Sequence, residues 1–117
     1  MENAVVEKSF ELAVKVVKLT QGMRDKKEFE LARQLLRCGT SVGANIAESQ
    51  RGQSDRDFLS KLQIAAKEAN ETEYWLKLLR RTDIISEEEF EDIYSDVKEV
   101  IKLLMSITKT MLNKMSK

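Results

Sequence analysis

Apolar residues recur along this chain at spacings of three and four, in four stretches separated by short polar breaks. In the first stretch Val6, Phe10, Ala13, Val17 and Thr20 form a stripe, widened by Val5, Leu12, Val16 and Leu19. With Asn3 as N-cap, this predicts a helix over residues 4–23 and a polar connection over 22–26. A second helix is predicted over 27–51, with Phe29, Ala32, Leu35, Leu36, Gly39, Val42, Gly43, Ile46 and Gln50 facing the core and Gly52 as the C-terminal cap. Ser54 caps a third helix, with Asp57 at its third position, whose heptad reads Phe58, Leu62, Ala65, Ala69, Thr72, Leu76, Leu79. Residues 82–85 close it. Ser86 and Glu89 form a capping box that starts a fourth helix, carrying Phe90, Ile93, Val97, Val100, Leu104, Ile107 and Met111 and reaching about residue 113.

Helices joined by such short links pack beside their sequence neighbours in opposite directions. The predicted fold is all-α: an antiparallel, up-down-up-down four-helix bundle, left-handed because mixed three/four spacing favours shallow crossing angles. There is no proline and there are only four glycines, which agrees with long helices rather than a sandwich or barrel. The 117 residues suit one domain over 1–117, burying roughly 65% of the unfolded surface, enough for a core without disulfides. Cys38 is the only cysteine, so no internal disulfide forms. No apolar run exceeds three residues and the N-terminus is charged and amphipathic, not a signal peptide. The expectation is a cytoplasmic protein with no membrane partner.

Residues 38–47, CGTSVGANIA, hold no charge in a chain that is 34% charged. As a helix they cover almost three turns with no solvated side, and a helix apolar all round is buried all round. Gly39 and Gly43 fall one turn apart on the core side, and each costs about 1 kcal/mol relative to Ala, so close helix approach is their expected use. Ser41, Ala44 and Asn45 lie opposite, flanked by Arg37, Glu48 and Arg51. Either this helix is packed tightly within one bundle, or its outer side enters a subunit interface. Helix 3 carries a second excess: Ile64, Tyr74, Trp75 and Leu78 lie off its heptad, and a monomer would leave Trp75 and Leu78 largely wet. The expected assembly is a homo-oligomer.

The catalytic inventory is thin. There is no histidine, which removes the commonest general base and the Glu-x-x-His pairs of bundle di-metal sites. Cys38 sits among small residues and reads as packed, not nucleophilic. Glu68, Glu71 and Glu73 read as a solvated face, and no glycine loop cradles phosphate. We expect no enzyme activity, cofactor, metal or small-molecule substrate.

Formal net charge is zero, unevenly placed: residues 82–99 carry one basic and eight acidic groups, residues 100–117 four basic and none acidic. Helix-dipole complementarity accounts for this polarity, as it does for Lys77, Arg80 and Arg81 at the end of helix 3. Arg33, Arg37 and Arg51 fall on one side of helix 2, with Arg56 past the turn. Repeated in an oligomer they would make a nucleic-acid-binding band. The alternative is that they pair with Glu30, Glu48, Asp55 and Asp57.

The stretches KSFELAVKVVKL, KKEFELARQLLRCGTSVGANIAESQ and DFLSKLQIAAKEANETEYWLKLL, with the final helix, resemble the bacterial four-helix bundle proteins of the ribosomal RNA intervening-sequence family. The resemblance covers nearly the whole chain. It implies an antiparallel bundle and a ring-shaped homopentamer. A related group of basic proteins serves diversity-generating retroelements, binding reverse transcriptase and nucleic acid. The function expected is therefore a non-enzymatic, homo-oligomeric scaffold near structured RNA, or alternatively a protein-binding adaptor such as a reverse-transcriptase accessory subunit.

Overall fold

The structure, a computed structural model, describes residues 3–116. These form four helices: α1 Ala4–Asp25, α2 Phe29–Ser49, α3 Asp55–Arg81 and α4 Glu87–Met115. Three starts follow local sequence chemistry. The Asn3 side chain accepts from the Val6 amide, Ser54 accepts from Asp57, and Ser86 with Glu89 closes a reciprocal capping box.

The first two connections differ from expectation. α1 runs through Gly22 to Asp25, and α2 starts at Phe29, where Glu28 gives no side-chain cap. The left-handed residue between them is Lys27, at φ 66°. Gly52 is not a left-handed cap, since no glycine among the described residues has positive φ. What it provides is space: a Cβ there would lie 3.1–3.2 Å from the Ser49 carbonyl, the Asp57 carboxylate and the Phe58 amide.

Each helix packs against two others in the order α1–α2–α3–α4–α1, with no close backbone approach across the diagonals. Neighbours run antiparallel. Gly39 meets Val16 while Gly43 meets Ser9; Arg37 reaches Glu68 while Lys61 reaches Glu48. Likewise Glu73 meets Tyr94 while Asp55 meets Lys114, and Lys8 meets Glu99 while Lys15 meets Asp92.

The core is the aliphatic interior of this square, from Val5, Leu12 and Val16 through Leu35, Val42 and Ile46 to Leu62, Leu76, Val97 and Leu104. The α1 stripe is rotated from the one expected. Val5, Ser9, Leu12, Val16, Thr20 and Met23 are buried, whereas Phe10 is 69% exposed and Val17 also faces solvent. α1 has apolar residues around more than half its circumference, so its spacing admits two phases. The glycines of α2 choose between them: a Cβ at Gly39 would lie 2.7 Å from Val16 Cγ2, and one at Gly43 3.2 Å from the Ser9 carbonyl oxygen. Those notches draw Val16 and Ser9 inward and turn Phe10 out. Phe29 and Gln50, expected in the α2 stripe, are exposed at the two ends of that helix.

Candidate interaction surfaces

With the core closed, the side of α2 away from it is open. In the uncharged 38–47 segment, Cys38, Gly39, Val42 and Ile46 are buried, Ser41, Gly43 and Asn45 are half-buried, and Ala44 and Ala47 are exposed. The polar groups are satisfied on their own helix: Ser41 Oγ donates to the Arg37 carbonyl at 2.7 Å and Asn45 Nδ2 to the Ser41 carbonyl at 2.9 Å. They leave an apolar surface that asks nothing of water. Beside it lies the exposed edge of α1. Val6, Phe10 and Ala13 with Thr40, Gly43, Ala44 and Ala47 line a groove of about 290 Å³. It continues along α1 past Phe10, Val14 and Val17. Sequence reasoning had placed Phe10 and Val17 inside, so it missed half of this face. The clue was the excess width of the α1 stripe.

The α3 residues divide. Ile64 and Tyr74 are exposed. Trp75 and Leu78 are not largely wet as expected: both are half-buried, and Trp75 packs against the core. The Trp75 indole N–H donates to Glu71 Oε2 at 3.3 Å, and the Arg37 guanidinium donates to the same carboxylate. Trp75 therefore belongs to a ledge joining α2 and α3, with its ring edge against Tyr74.

The four arginines are not one band. Arg33 pairs with Glu30, which holds its guanidinium above the ordinary arginine range. Arg37 is neutralised by Glu68 and Glu71. Glu48 pairs with Lys61, and Asp55 with Lys114, instead of with arginine. Among the described residues, Arg51 and Arg56 have no carboxylate partner.

Two buried groups remain. Burial pushes the Cys38 thiol up from its ordinary range, and its Sγ points at the Leu35 carbonyl, so the nucleophilic thiolate is suppressed. Asp96 of α4 is 5% exposed, between Lys8 and Lys15 of α1. Lys15 Nζ lies 2.9 Å from Oδ2, an ion contact too poorly aligned to be a good hydrogen bond. Contact with Asp96, and the bond to Asp92, hold Lys15 above the usual lysine range. The clue in the sequence was an acid one residue from Val97 on the core stripe, with lysines seven apart on α1. Among the described residues no three His, Cys, Asp or Glu side chains are grouped to hold a metal ion, and no helix is long and apolar enough to cross a membrane.

The family model described as 23S rRNA-intervening sequence protein matches residues 1–106. Among solved structures, the chain is similar to a protein with unknown function from the S23 ribosomal protein family, from Bacteroides thetaiotaomicron VPI-5482. The two are 53% identical with a TM-score of 0.87, over 90% of this chain and 98% of that one. Neither description names an enzyme. No curated protein matches.

Proposed function

We propose that this chain, which belongs to the 23S rRNA-intervening sequence protein family, is a non-enzymatic helical scaffold that works as a homo-oligomer in the cytoplasm. The observation that carries the reading is the apolar α1–α2 face, where Phe10 is 69% exposed beside a groove floored by Gly43 and Ala44. Contiguous apolar surface of this kind marks an interaction site. Burying one phenylalanine is worth about 1.5–3 kcal/mol, and the adjoining Val14, Val17 and Ala44 add to it. A second copy supplies the same apolar chemistry, and the resemblance implies five copies in a ring. The non-enzymatic reading is supported by the absence of histidine and the protected Cys38 thiol.

Light scattering at micromolar concentration tests this. We expect a multiple of the 13.5 kDa chain mass. Phe10→Glu with Val17→Glu should give the monomer with helicity retained. A wild-type mass of 13.5 kDa refutes self-assembly and leaves this face as a dock for another protein.

A further inference from the structure

We infer that the outer α3–α4 face binds the phosphate backbone of base-paired RNA. The arginines of α2 are largely neutralised, but another line of cations is not. Along α3, exposed positions at spacings of three, four and seven read Arg56, Gln63, Lys67, Asn70, Tyr74, Lys77 and Arg81: four cations and no acid. The matching seam of α4 continues past Tyr94 as Lys98, Lys102, Met105, Lys109 and Leu112. At 100° per residue both seams turn to the same side of the bundle, because Tyr94 meets Glu73 across the α3–α4 contact. A chain of zero net charge thus carries seven cations on one face.

The charge of six of the seven is not cancelled by an ion pair. Lys77 has Glu73 at 3.7 Å; among the described residues none of the other six has a carboxylate partner. Lys77 and Lys98 instead lie 5.9 and 5.6 Å from the centre of the Tyr94 ring. A ring positions cations without removing their charge. Glu73 lies within the stripe, shared between Lys77 and the Tyr94 hydroxyl, while Glu87 and Glu91 lie at one end of it and Glu87 is tied to Arg80.

The chemistry of the stripe selects the occupant. Five of the seven cations are lysine, which is depleted from protein interfaces, and the two exposed aliphatic side chains of the α4 seam, Met105 and Leu112, are separated by Lys109 and form no contiguous anchor. That disfavours both a protein and a membrane surface. Tyr74 alone is a fully presented ring, too little for a stacking platform on single strands. Arg56 to Arg81 spans about 37 Å at 1.5 Å per residue, long enough to follow a phosphate backbone along a duplex. Gln63 and Asn70 interleave amides able to donate to and accept from 2′-hydroxyls, which distinguishes RNA from DNA. The inference deepens the scaffold reading and rests on it only for repetition: α3–α4 lies opposite α1–α2 in the square, so burying the α1–α2 groove does not itself cover the stripe.

The test is fluorescence anisotropy with a labelled RNA hairpin whose paired stem covers about two turns. Binding is followed between about 50 and 200 mM salt. Wild type should bind with a steep salt dependence. Lys67→Gln/Lys98→Gln/Lys102→Gln should lower affinity at least about tenfold and reduce the log–log salt slope by about three. Arg33→Gln should match wild type. Circular dichroism and light scattering on the same samples separate the two ideas. A wild-type monomer that still binds through the stripe refutes the scaffold alone. The inference is overturned by no binding at the lowest salt, by undiminished binding of the triple variant, by equal loss in Arg33→Gln, by equal affinity for a DNA duplex, or by polyglutamate competing at equal charge concentration.

Discussion

Two identical substitutions, Gly39→Ala and Gly22→Ala, should change stability in opposite directions. Both glycines lie inside helices, so each replacement gains about 1 kcal/mol of helix propensity. At Gly22 nothing lies within 4 Å of the new Cβ, and the gain is realised whole. At Gly39 the new methyl would sit 2.7 and 2.9 Å from the two γ-carbons of Val16. Val16 is fully buried and β-branched, so it has no low-energy rotamer in which to retreat. Relief requires α1 and α2 to part, and overpacking of this kind costs about 1–3 kcal/mol. The net at Gly39 is a loss of about 1 kcal/mol, and the two variants should differ by about 2 kcal/mol. Each kcal/mol is about 4–8 °C in Tm for a domain near this size. Urea unfolding followed by circular dichroism measures it, at one protein concentration throughout because self-association shifts apparent stability. Adding Val16→Ala to Gly39→Ala should recover part of the loss, since the new methyl fills space the valine vacated. If Gly39→Ala stabilises as much as Gly22→Ala, the close α1–α2 approach is wrong, and with it the reason Phe10 faces outward.

Asp96→Ala leaves Lys8 and Lys15 without their buried partner on α4 and should destabilise the bundle by about 2 kcal/mol. That is below the ~3–5 kcal/mol of a fully buried pair, because both lysines can turn towards water. A loss under half that value would show the clasp to be incidental. Stability should also fall on the alkaline side. The unfolded Cys38 thiol ionises near pH 8.5 while burial keeps the folded one protonated, so the unfolded state loses its proton first and is favoured as pH rises. Lys15, raised in the fold by Asp96, contributes stability that is fully present below about pH 10.4 and is lost as pH rises through its folded value. Urea midpoints from neutral pH to about 10 should fall in wild type and fall less steeply in Cys38→Ala; identical slopes would refute the thiol assignment.

The existence of four helices, their three side-chain N-caps, the α3 heptad and the family were all legible in the chain, because each depends on neighbours within a few residues. Apolar spacing reports that a helix has a buried side. It reports which side only when the stripe is narrow, as on α3, where Leu62, Ala65, Ala69, Thr72, Leu76 and Leu79 are all buried as read. On α1 the stripe is too wide, and the phase was settled by contacts with Gly39 and Gly43. Charge behaves the same way. The arginines of α2 could be seen to share a side, but whether Arg37 stays free depends on Glu68 and Glu71, some thirty residues away and brought opposite by antiparallel packing. The α3–α4 cations were each visible as letters; that they align on one face, six of the seven without an ion pair among the described residues, is set by the rotation of two helices about their axes. Local sequence determines helices, caps and breaks because the energies involved act within one or two turns. The rotation of each helix, and so every surface on which function could rest, is decided only when all four bury their side chains together.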